Sequence, residues 1–65
     1  MTVEIKGLGT ITACEDALNY LVILAREASK SFERRNRNFD AEDSQEIANS
    51  IYKELKNSGF YEGVE

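Results

Sequence analysis

Tyr20-Leu21-Val22-Ile23-Leu24-Ala25 stands in the middle of an unbroken helical stretch running from Ala13 to about Arg37. At about 100° per residue, this apolar run spreads side chains over more than half of the helix circumference. A face that wide needs cover from at least two directions. The rest of the chain holds one further good helix. The pattern therefore predicts a mainly α, self-associating protein. A short N-terminal β-strand or hairpin leads into an antiparallel two-helix hairpin, which dimerises into a four-helix arrangement.

The first helix is expected over 13–37. Cys14, Leu18, Leu21, Ala25, Ala28 and Phe32 recur at alternating spacings of four and three and make one seam. Ala13, Ala17, Tyr20 and Leu24 make a second beside it. The polar side carries Glu15, Asp16, Asn19, Arg26, Glu27, Lys30 and Arg34, interrupted by Ile23. Thr12 followed by Glu15 reads as a capping box, and Glu15 and Asp16 place negative charge at the positive end of the dipole.

A turn is expected at Asn36-Arg37-Asn38-Phe39, because asparagine tolerates the left-handed conformation that ends helices. Asp40 would cap a second helix over 40–58, its start supported by Glu42, Asp43 and Glu46. Ala41, Ser44, Ile47, Ala48, Ile51, Tyr52 and Leu55 give it one narrow apolar stripe. Gly59 falls where a left-handed residue follows a helix, and Phe60 where a Schellman ending packs an apolar residue against Leu55. Residues 60–65 read as a short tail.

The narrow stripe can cover one seam of the first helix and not both. Leu18, Tyr20, Leu21, Leu24, Ala25, Ala28 and Phe32 are therefore the expected dimer interface. Within 1–12, Val3 and Ile5 alternate with polar residues at the period of a half-buried strand. Gly7-Leu8-Gly9 breaks that pattern and Thr10-Ile11-Thr12 could return as a second strand. A hairpin so small is marginal alone. Val3 and Ile5 are expected to lie across the first helix and cover Ile23. That would leave the strand's outer edge, with Val3, Ile5 and Ile23, as a partner edge.

Composition narrows the function. A single domain of 65 residues sits where a lone core rarely leaves more than about 3–5 kcal/mol of net stability. Cys14 is the sole cysteine and there is no histidine, so neither an intrachain disulfide nor a Cys/His zinc site can staple the fold. Oligomerisation remains. The formal net charge of -4 works against general binding to nucleic acid or anionic membranes. The N-terminus lacks the pattern of a secretory signal, and no apolar run approaches the ~20 residues that span a bilayer. A lone cysteine without an export signal fits a reducing cytoplasm.

Candidate sites are few. Lys30, Arg34, Arg35 and Arg37 form a possible anion patch, yet cations are favoured in the last turns of any helix. Glu33 and Arg37 are also spaced as an i,i+4 pair, and four acids open the next helix. The oxygen-rich run from Asn36 to Ser44 fails as a calcium loop. Counting from Asn36, Ala41 and Ile47 stand where glycine and a bidentate glutamate are needed. Gly7-Leu8-Gly9 lacks the third glycine of a dinucleotide fingerprint. Cys14 shares the phase of Leu18 and is expected to be buried and structural. The carboxylate pairs sit on solvated helix faces rather than in a cleft. Neither an enzymatic role nor a cofactor or metal is expected.

The reading that remains is a small cytoplasmic interaction protein. As a helical homodimer it would bind an unidentified protein partner as regulator, inhibitor or assembly factor. One alternative is a nucleic-acid-associated regulator using the basic end of the first helix. Another is a structural subunit of a larger assembly.

Overall fold

The computed structural model describes residues 1–62, arranged as a two-stranded antiparallel hairpin followed by two helices. Strand β1 spans Thr2–Ile5 and β2 spans Gly9–Thr12, with Val3 opposite Ile11 and Ile5 opposite Gly9. The turn closes where the Leu8 amide donates to the Ile5 carbonyl at 2.9 Å. Gly7, with φ +81°, supplies the left-handed residue of that turn. The ladder runs one pair further: the Ala13 amide donates to the Met1 carbonyl and the Met1 amine to the Ala13 carbonyl, both at 3.0 Å.

Helix α1 spans Glu15–Arg34 and α2 spans Asn38–Asn57. Both are shorter or shifted relative to the sequence expectation, for local reasons. Thr12 does not cap α1, because it ends β2 and its hydroxyl meets that of Thr2 across the hairpin at 2.8 Å. Cys14 is the N-cap instead, without a side-chain bond, which leaves its thiol exposed rather than buried. Asn36 takes the left-handed conformation, φ +60°, and α1 is already over at Arg34. The Arg37 amide folds back onto the Phe32 carbonyl at 2.9 Å. Arg37 is then the N-cap of α2, and Asp40 lies inside its first turn, paired with Arg37 at 2.6 Å. That pair replaces the expected one between Glu33 and Arg37.

The C-terminus of α2 is a Schellman ending. Gly59 has φ +84°, its amide donates to the Lys56 carbonyl at 3.2 Å, and the Phe60 amide donates to the Leu55 carbonyl at 3.0 Å. Phe60 packs onto the core beside it. Phe60 and Tyr61 are consequently part of the fold, not of a tail. The Tyr61 hydroxyl donates to Asn19 Oδ1 at 2.7 Å, and its ring lies 5.1 Å from that of Tyr52. Residues 63–65 of the expected tail fall outside the described residues.

The core is built from all three parts. Val3 and Ile5 from β1, Leu18 and Val22 from α1, and Ala48, Ile51 and Leu55 from α2 form one buried cluster. Near the interhelical loop the buried residues shrink to Ser29, Ala41 and Ser44. The Ser29 hydroxyl donates to the Ala41 carbonyl at 3.0 Å, so its burial leaves no unmet polar group.

Strand β1 packs along α2 rather than across α1. Val3 and Ile5 join Ala48, Ile51 and Leu55 of α2 in the buried cluster, and they do not cover Ile23, which stays exposed. The reason is angular. Val22 is the residue of α1 that enters the core, and Ile23 is turned about 100° from it.

Candidate functional site

The phase of α1 decides what the molecule leaves exposed. Leu18, Val22 and Ser29 are its buried residues, with Leu21, Ala25, Ala28 and Phe32 half-buried along one flank. On the opposite flank, polar side chains seal the joint with α2. Ser58 donates to Glu15 Oε2 at 2.9 Å, Asn19 accepts from Tyr61, and the Arg26 guanidinium lies 5.1 Å from the Tyr52 ring. Burial raises the Tyr61 phenol above its ordinary value, Tyr52 adds to the effect, and Arg26 opposes it.

Beyond the half-buried flank the apolar surface continues into solvent. Tyr20 is 62% exposed, Ile23 51% and Leu24 46%. Ala17 is exposed as well, and Leu21 and Ala28 carry the same surface inward to the core. Ala17, Leu21, Leu24 and Ala28 repeat at spacings of four, three and four, the phase of a seam that lies against another helix. Glu27 ends the wider part of the strip one turn after Ile23 and Leu24.

Of the residues expected at a dimer interface, Tyr20, Leu21, Leu24 and Ala28 therefore share one face. Leu18 is fully enclosed by the protomer's own core, and Ala25 packs at its border. Phe32 is half-buried beneath the Arg37 guanidinium, 5.2 Å from its ring. Of the expected partner edge, Ile23 is open to solvent while Val3 and Ile5 are buried. A strand added to the hairpin would meet backbone and not those two side chains.

The four cations of the basic end do not act as a unit. Arg37 is committed to Asp40 and Phe32, whereas Lys30, Arg34 and Arg35 project into solvent. Beside them an open groove of about 330 Å³ runs between the helices, lined by Ser29, Glu33, Asn38, Ala41, Glu42 and Gln45. Its serine hydroxyl is already spent on Ala41. Phe39, in the first turn of α2, is 85% exposed and was not a candidate from sequence, where it read as a turn residue. Among the described residues no three His, Cys, Asp or Glu side chains converge as metal ligands, and no helix is long and apolar enough to cross a membrane.

The chain matches no protein-family model, and neither a curated protein nor a solved structure is similar enough to it to carry a comparison.

Proposed function

We propose that the protein is a small protein–protein interaction module that self-associates through the outer face of α1. The observation that carries this reading is the exposure of Tyr20, Ile23 and Leu24 on one helix of a 65-residue chain. Scattered exposed apolar residues need no explanation, but a contiguous strip marks a contact surface. Large side chains in such a strip lose water contact when a second helix lies on them. The strip is apolar and free of catalytic groups, which favours binding over chemistry. Its role is then that of a regulator, inhibitor or assembly factor whose dimer presents a fixed surface to another protein. The exposed, free Cys14 suits a reducing cytoplasm.

A dilution series followed by NMR tests the surface. Resonances of Ala17, Tyr20, Leu24 and Ala28 should move with protein concentration, while those of the hairpin from Thr2 to Thr12 hold still. Shifts that stay fixed from millimolar to low micromolar concentration would remove the α1 face from consideration.

A further inference from the structure

We draw no further inference here: the strongest candidate, the open edge of β2 at Thr10 and Thr12 beside half-buried Ile11, carries nothing because nothing in the structure shows what covers it.

Discussion

Gly59 shows how much of the C-terminal structure hangs on one backbone angle. Its φ of +84° lets two amides reach back to the last turn of α2 and turns Phe60 and Tyr61 onto the core. An alanine there is strained by about 1–2 kcal/mol. Its Cβ would also lie 3.1 Å from Glu62 Oε2, the far end of a side chain that can move away. Gly59→Ala should lower the stability measured by urea unfolding by about that backbone term. Tyr61, which the turn delivers, carries a pH signature. Its folded-state pKa is raised above 10.0, chiefly by burial. The contribution is therefore fully present below pH 10 and is lost as pH rises through the folded value. Tyr61→Phe should cost about 0.5–1.5 kcal/mol near neutrality through the lost bond to Asn19, and its stability should fall less steeply above pH 10. Unfolding curves of the two proteins at pH 8 to 11 measure both effects. Equal slopes above pH 10 would contradict the assignment.

At the scale of elements, what could be read from sequence follows the periodicity of each segment. The narrow stripe of α2 offers one phase, and Ala41, Ser44, Ala48, Ile51 and Leu55 are the residues that became buried. Its Schellman ending was legible because glycine and an apolar residue fall at the spacing the motif needs. Helix α1 was harder. A run apolar on nearly all sides fits several phases equally well, and Val22 rather than Leu21 became the central core residue. The cap failed for a different reason. Thr12 has the right spacing for a capping box, but Thr2, ten residues earlier and opposite it in the hairpin, claims its hydroxyl first, and no local pattern reveals that competition. The surface strip was partly legible: Tyr20 and Leu24 belong to the expected interface and are exposed, while Leu18, expected beside them, is internal. Packing forecasts the consequence of each assignment. Leu18→Ala and Ile51→Ala should each cost about 2–5 kcal/mol in unfolding experiments. Removing Met1 to Lys6 should uncover Ile51 and Leu55 and abolish cooperative melting. A truncated chain that melts as sharply as the intact one would show that the hairpin adds nothing to the core.

The whole molecule is thin, with extents of 36 × 27 × 15 Å. A slab of that kind cannot surround a helix, and α1 keeps one side in solvent whatever its phase. The hairpin covers the helix pair along α2, so the uncovered side is the Tyr20–Leu24 face. Exposed Arg26, Glu27 and Lys30 flank that face with charges of both signs. The basic end plays a smaller part. Replacing Arg34 and Arg37 with glutamine should change the melting temperature little, since exposed pairs contribute about 0–1 kcal/mol. The same variant should bind duplex DNA at physiological salt no differently from the parent. A mobility shift seen for the parent and lost in the variant would point to the nucleic-acid alternative.

The central claim, that the exposed face of α1 joins two copies, is tested most directly by light scattering coupled to gel filtration at micromolar concentration. The intact chain should have twice its 7.3 kDa mass, and Leu24→Glu should return it to the single-chain mass with helical circular dichroism unchanged. A folded parent protein at 7.3 kDa would contradict the claim.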